Sequence, residues 1–137
     1  MKSVKRRSFL KTTASAAAVS ALPASPLKAE ESAATVVVVH GKDIAKMLEA
    51  GIAKLGGWGA FIKPGTKVAL KPNVAWNSKP EQGGNTHPDL VKACVLAAEA
   101  KGAAAVNIPE NTCHPETATF KASGVEDALK GTKARLY

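Results

Sequence analysis

The chain has 137 residues, two cysteines and a formal charge of +8. Its length suits one domain, and its two Trp, one Tyr and three Phe give no aromatic platform for stacking single-stranded nucleic acid. Six of the 19 basic residues lie in residues 1–29, which contain no acid, so the rest carries 13 basic and 11 acidic residues. The charge therefore gives no reason to expect a nucleic acid partner.

Residues 1–29 have the pattern of a twin-arginine signal peptide. "KRRSFLK" contains Arg6 and Arg7 and is followed by the mildly apolar run "TTASAAAVSALPA". Lys5 departs from the pattern, since Ser or Thr is common there. The run is shorter than the roughly 20 residues that span a bilayer, so we expect cleavage after Ala29 and no stable membrane span afterwards. The twin-arginine export machinery is the predicted partner, and the predicted location is periplasmic or otherwise exported. The alternative is a disordered basic tail or an uncleaved anchor.

The next part of the chain predicts a strand, a helix and a strand. "TVVVVHG" (35–41) is a continuous β-branched run, typical of a strand covered on both faces. "DIAKMLEAGIAKLGG" has Asp43 placed to cap a helix, apolar residues at helical spacing and two glycines at its end. "PGTKVALKPN" predicts a turn and a second strand from Lys67 to Leu70.

The second half repeats this alternation. "DLVKACVLAAEAKG" predicts a helix, "AAVNIPEN" a third strand, "ETATFKASGVEDALKGT" one broken or two short helices divided near Gly124, and "KARLY" the start of a fourth strand. Residues 30–137 are therefore predicted to form a layered α/β domain with a mainly parallel sheet in β-α-β-α-β-α order. Because the fourth strand has only begun at Tyr137, we expect a truncated domain from a longer protein; the alternative is a complete small domain with a frayed end.

Two loops are predicted at the carboxyl edge of this sheet, where parallel α/β folds bind ligands. We call Lys71–His87 the first rim loop and Pro109–Pro115 the second rim loop. Lys71 is placed to pair with an anionic ligand and Asn73 to hydrogen-bond it, although Asn73 could equally brace the loop. Glu110 is predicted to complete the ligand-binding set.

The helix entries after the two loops resemble each other, with "THPD" at 86–89 and "CHPE" at 113–116. Helix capping explains five of these residues: Thr86, Pro88, Asp89, Pro115 and Glu116. It does not require imidazole, and a helix N-terminus favours the neutral ring. His87 is therefore a candidate catalytic residue, as a neutral proton acceptor, or a ligand.

Cys113 and His114 are candidate metal ligands, with Glu110 and His87 nearby, although C-x-x-C and repeated His spacings are absent. The alternative for Cys113 in an exported protein is a disulfide with Cys94. Cys94 lies eight residues beyond Thr86, about 12 Å down the helix, whereas a disulfide needs Cα atoms within about 7 Å. That distance argues against the bridge.

"VALKPNVAW", "THPDLVKACVLAAEAKGA", "ENTCHP" and "FKASGVEDALKG" together resemble the family called domain of unknown function 362, especially its exported members with twin-arginine signals. The resemblance covers roughly Val36 to Tyr137 and implies a longer α/β domain. Some relatives carry ferredoxin-like iron–sulfur modules, which two isolated cysteines cannot supply. Relatives also have a Cys six positions after the one matching Cys113, where Thr119 stands here.

These observations predict an exported α/β domain that binds a small anionic ligand or a metal at the carboxyl edge of its sheet, with an enzymatic or redox-associated role left open. The resemblance implies no particular reaction or cofactor. The alternative is a non-catalytic periplasmic binding or interaction module whose long loop forms a partner surface. An electron-transfer role is disfavoured because no cluster motif occurs in the chain.

Overall fold

The computed structural model describes residues 34–137. The predicted signal peptide and the cleavage predicted after Ala29 lie outside the described residues. The elements are α1 (Ile44–Lys54), α2 (Trp58–Phe61), β1 (Lys67–Ala69), α3 (Pro88–Ala100), β2 (Ala105–Ile108), α4 (Glu116–Ala122), α5 (Val125–Ala128) and β3 (Arg135–Leu136). A short 3-10 helix, Pro80–Gln82, lies within the first rim loop.

The three strands form a parallel sheet in the order β1-β2-β3. Val68 is paired with Val106, and Ile108 with Leu136. Helices connect the successive parallel strands, as crossover connections require. The prediction of an α/β domain with a parallel sheet is confirmed.

The principal helices lie in one layer. α3 packs against β2, and both α1 and α5 pack against α3; helices in direct contact cannot lie on opposite faces of a sheet. The core lies between this layer and the sheet, where burying apolar side chains stabilises the fold. Its buried members are Ile62, Val74, Val91, Val95, Ala98, Val106, Ile108, Phe120, Val125 and Leu129.

Local sequence signals set the ends of α1. The Asp43 carboxylate accepts a hydrogen bond from the Lys46 backbone N–H at 3.0 Å and caps the first turn. The helix ends before Gly56, whose φ of 97° is unfavourable for residues with a Cβ. Both predicted ends of this helix are confirmed.

Gly124 divides α4 from α5, as the sequence predicts. Its φ is 73°, in the left-handed region. A Cβ at this position would lie 3.5 Å from Pro88 Cγ and 3.7 Å from Pro80 Cγ. Gly124 therefore turns the chain where the first rim loop and the start of α3 meet the α4–α5 connection.

The predicted strand over 35–41 is wrong for the described structure, which has no strand there. The expected burial on both faces is also absent, because Val36 is 82% exposed and Val38 is 75% exposed. Val37 and Val39 are half-buried. β-Branched residues favour strands only where a neighbouring strand and packed side chains stabilise them, and this run has no strand partner within residues 34–137.

Candidate functional site at the carboxyl edge of the sheet

The two rim loops lie side by side, because they leave the carboxyl ends of adjacent parallel strands. Backbone bonds join them along their length. The Val74 N–H donates to Glu110 Oε2 at 2.9 Å, and the Cys113 N–H donates to the Ala75 carbonyl at 2.9 Å. Asn77 N–H makes a longer bond of 3.5 Å to His114 Nδ1. The loops thus form one connected surface.

Lys71 and Glu110, both predicted ligand-binding residues, contact each other across this surface. Lys71 Nζ lies 2.8 Å from both Glu110 carboxylate oxygens and also donates to the Pro72 carbonyl at 2.8 Å. The Glu110 side chain is only 3% exposed, whereas that of Lys71 is 61% exposed. Glu110 is therefore the buried partner of this ion pair, and most of the Lys71 side chain stays exposed.

Burial raises the pKa of Glu110, but the hydrogen bonds that its carboxylate accepts lower the pKa by more. Hydrogen bonds from Lys71 Nζ and from the backbone N–H groups of Val74 and Asn111, together with the Lys71 charge, hold the pKa of Glu110 below its usual value. The carboxylate is therefore ionised at neutral pH. Its negative charge is shared among one cationic and two backbone donors.

The Asn73 backbone joins the start of the first rim loop to its end. Asn73 N–H donates to Thr86 Oγ1 at 2.9 Å, and Thr86 N–H donates to the Asn73 carbonyl at 2.7 Å. The Thr86 hydroxyl is therefore engaged with the loop, and the helix-capping role expected of Thr86 is wrong. The Asn73 backbone has the bracing role that the sequence left open.

His87 is the N-cap of α3. Its Nδ1 accepts a hydrogen bond from the Asp89 N–H at 3.2 Å, so Nδ1 carries no proton and Nε2 carries the proton of the neutral ring. The His87 imidazole thus caps α3, in place of Thr86, which was the expected capping residue. The Nδ1 lone pair of this candidate catalytic residue is therefore already used within the protein.

Asn85 holds the middle of the first rim loop, a role that sequence reasoning missed. Its Oδ1 accepts from Trp76 N–H at 3.0 Å, and its Nδ2 donates to the Trp76 carbonyl at 2.8 Å and to Ser78 Oγ at 3.0 Å. Asn commonly bonds nearby backbone in this way, so the Asn after two glycines was the available signal. The bonds fix the backbone beneath the Trp76 side chain, which is 48% exposed.

Cys113 and His114 lie exposed on the second rim loop. The His114 ring lies 5.8 Å from the Trp76 ring, centroid to centroid, with 58° between their planes. Within residues 34–137, no group of three or more His, Cys, Asp or Glu side chains is arranged to hold a metal ion. Cys94 and Cys113 are both free thiols. Burial raises the pKa of Cys94, consistent with a core role.

A small cavity of about 200 Å³ lies beside Lys71. Its walls are mainly apolar and are formed by the end of β1, the beginning of the first rim loop and the first turns of α3. The lining residues are Leu70, Lys71, Pro72, Thr86, Leu90, Val91 and Cys94. The helical spacing of Leu90, Val91 and Cys94 puts them on one face of α3, but spacing alone does not indicate a cavity there.

Residues 68–137 match the family described as Domain of unknown function (DUF362). The chain belongs to this family. The matched region begins at Val68 in β1 and includes both rim loops, so the candidate site lies entirely within the DUF362 match. This confirms the resemblance inferred from the sequence motifs.

Residues 3–23 match the signal sequence of the twin-arginine translocation pathway. The DUF362 chain therefore carries an export signal that engages the twin-arginine pathway. No helix within residues 34–137 combines the length and apolar character needed to cross a membrane.

The chain is also similar to the Thylakoid-associated protein sll1697 of Synechocystis sp. (strain ATCC 27184 / PCC 6803 / Kazusa). The two are 45% identical over 49 residues, which cover 35% of this chain and 15% of that protein. The chain thus matches a small part of that relative's length. No solved structure matches the chain.

Proposed function

We propose that this exported DUF362 domain binds a small anionic ligand at the carboxyl edge of its sheet. The boundary between signal peptide and domain at residue 29 is part of this proposal. The observation that supports ligand binding most strongly is the Lys71 ammonium, which Glu110 holds beside an apolar cavity while 61% of the Lys71 side chain stays exposed. A preorganised cation beside an apolar recess is a common arrangement for binding small molecules.

The charge distribution supports an anion at Lys71. Glu110 accepts from the N–H groups of Val74 and Asn111 as well as from Lys71, so the ammonium is only one of three sources that balance the carboxylate. Because Glu110 already fixes the position of the Lys71 ammonium, the Lys71 side chain would lose less conformational entropy when a ligand binds. Asn73, exposed nearby, is the proposed second polar contact.

The cavity narrows the ligand class. A volume of about 200 Å³ accepts a short aliphatic group, and Leu90 and Val91 give it an apolar wall. A small carboxylate would place its head at Lys71, replacing one of the three hydrogen bonds that Nζ makes to Glu110 and Pro72, and would place its chain in the cavity. In this proposal Glu110 orients Lys71, and His87 remains a candidate catalytic residue through Nε2.

Titration of the 15N-labelled full chain with butyrate, and separately with inorganic phosphate, tests the proposal by NMR. Butyrate is expected to give saturable shifts at the amides of Lys71, Thr86 and Leu90. Lys71→Met should remove those shifts, and Lys71→Arg should retain part of them. Saturable binding of phosphate alone would overturn the role of the cavity.

The matched control is Lys79→Met, which removes an exposed lysine from the same loop. It should bind butyrate like the unmodified chain. Shifts that grow linearly without saturation, or that persist in Lys71→Met, would show that Lys71 does not form the site. Elemental analysis of the same samples tests Cys113 and His114 as metal ligands; stoichiometric metal lost in His114→Ala would support metal over the anion.

A partner surface is the second candidate function, and the Trp76 side chain favours it. Asn85 fixes the Trp76 backbone while 48% of this residue stays exposed beside His114. A rigidly held exposed aromatic residue is typical of interaction hot spots. Unchanged butyrate binding with lost co-purification of an exported protein in Trp76→Ala would favour this function.

A further inference from the structure

We propose that the run Thr35–Val39, which has no strand partner in the described structure, docks along the open edge of β1 as an additional parallel strand. This inference concerns the architecture that completes the rim and does not depend on ligand binding. It rests on four observations: the free edge of β1, an apolar groove beside that edge, the position of α1, and the direction of the chain before α1.

The outer edge of β1 has free hydrogen-bonding groups. Within the described residues β1 has a neighbour on one side only, which is β2. Leu70 N–H donates to the Asn107 carbonyl at 2.8 Å, so Val68 and Leu70 point their backbone groups toward β2. Because parallel strands alternate in this respect, Lys67 and Ala69 point theirs toward the open edge.

An apolar groove of about 560 Å³ runs beside β1. It is lined by Val68, by Ile52 of α1, and by Phe61 and Ile62 of the following segment. Phe61 is 59% exposed. An unpaired strand edge beside exposed apolar side chains is a template for adding a strand, and a run of valines suits such a site.

The handedness of the connections identifies the occupant. The β1-α3-β2 crossover uses the helix layer that also contains α1, since α1 packs on α3. Crossovers between parallel strands are right-handed in about 98% of cases. When successive right-handed crossovers use the same face of a sheet, each new strand is added on the same side of the strand before it. The segment that enters α1 therefore belongs on the side of β1 opposite β2, which is the open edge.

The run already lies near α1 with the required direction. Thr35–Val39 face Ala50 and Lys54 across a gap of about 530 Å³, and Val39 lies against Gly51. The chain then continues to the start of α1, where Lys42 and Asp43 share a cleft with Asp89 at the start of α3. It thus runs toward the rim, as β1 does. The connection at 40–43 then becomes a third loop at the rim.

Amide hydrogen exchange of the full chain, followed by NMR, tests the proposal. Val37→Pro removes a backbone N–H donor from the run and should prevent docking. In the unmodified chain we therefore expect amide exchange at Lys67 and Ala69 to be at least about tenfold slower than in Val37→Pro. A tenfold difference corresponds to about 1.4 kcal/mol. Val68 and Leu70 should stay protected in both proteins, which shows that the sheet is intact. Ala34→Pro, with a proline just before the run, is the matched control and should retain protection.

The unmodified chain alone can overturn the inference. Exchange at Lys67 and Ala69 as fast as at the exposed loop residue Gly84 would show that the edge stays open. Protection that disappears on dilution, together with a dimer in size-exclusion chromatography, would identify a second copy as the occupant and would also overturn docking of the chain's own run.

Discussion

The rim loops and the run at 35–41 differ in how their structure is determined. The first rim loop has little regular secondary structure, yet Asn85, Thr86 and Glu110 bond its backbone at several points. The run has strong strand-forming residues, yet Val36 and Val38 remain largely exposed without a strand partner in the described part. Of the two segments, the first rim loop has its backbone fixed by more hydrogen bonds.

Local propensity and tertiary contacts therefore contribute separately to the order of a segment. A valine run gains strand stability only from a neighbour, which its own residues cannot provide. A polar loop can be ordered by side chains within it, because buried backbone groups are stable only when they are hydrogen-bonded. Changing a polar side chain that bonds the rim backbone therefore tests whether the rim loses order without these bonds.

The largest effect is expected from Glu110→Ala. Removing the carboxylate leaves the N–H of the fully buried Val74 and the N–H of Asn111 without their acceptor. Lys71 is 61% exposed, so its own loss of a partner adds little. We expect the free energy of unfolding to fall by about 2–4 kcal/mol, measured by urea denaturation.

Glu126→Gln is the matched control, because Glu126 lies exposed on α5. It should change the unfolding free energy by less than about 0.5 kcal/mol. In Glu110→Ala, faster amide exchange at Val74 and Cys113 with unchanged exchange in α1 would locate the damage in the rim. An unchanged exchange rate at Val74 would contradict the bracing role of Glu110.

Much of the fold could be predicted from the sequence because its signals are local. Asp43 and Gly56 mark the ends of α1, and Gly124 marks the α4–α5 division. The alternation of strands and helices then fixes a parallel sheet. The described structure has no strand over 35–41, because β-branched composition reports propensity alone, whereas strand formation requires a paired edge.

The candidate site was predicted in place but not in detail. Chain order put Lys71 and Glu110 at one edge, since both follow parallel strands. Their mutual ion pair, the Asn85 bonds and the cavity beside Leu90 depend on side-chain directions that spacing does not encode. The choice of N-cap was wrong because Thr86 had a competing partner, the Asn73 N–H, thirteen residues away.

A smaller effect is expected from His87→Ala. Losing the Nδ1 acceptor leaves the Asp89 N–H without its capping partner, which should lower the free energy of unfolding by about 1 kcal/mol in urea denaturation. His87→Asn restores a good N-cap and should recover most of that loss. If His87→Asn fails to recover stability, the imidazole has a packing role that capping does not explain.

The ionised Glu110 carboxylate should make the smallest contribution, which appears as a dependence of stability on pH. The pKa of Glu110 is held below its usual value in the folded protein, so the unfolded state binds the proton more readily and stability falls as pH falls. This contribution is fully present above the unfolded pKa of about 4.3 and is lost as pH drops through the lower folded value. Glu110→Gln cannot titrate, so its free energy of unfolding should decline less steeply below about pH 5 than that of the unmodified chain. Glu126→Gln should follow the unmodified chain, and parallel curves for Glu110→Gln and the unmodified chain would show that the rim does not depend on the ionised carboxylate.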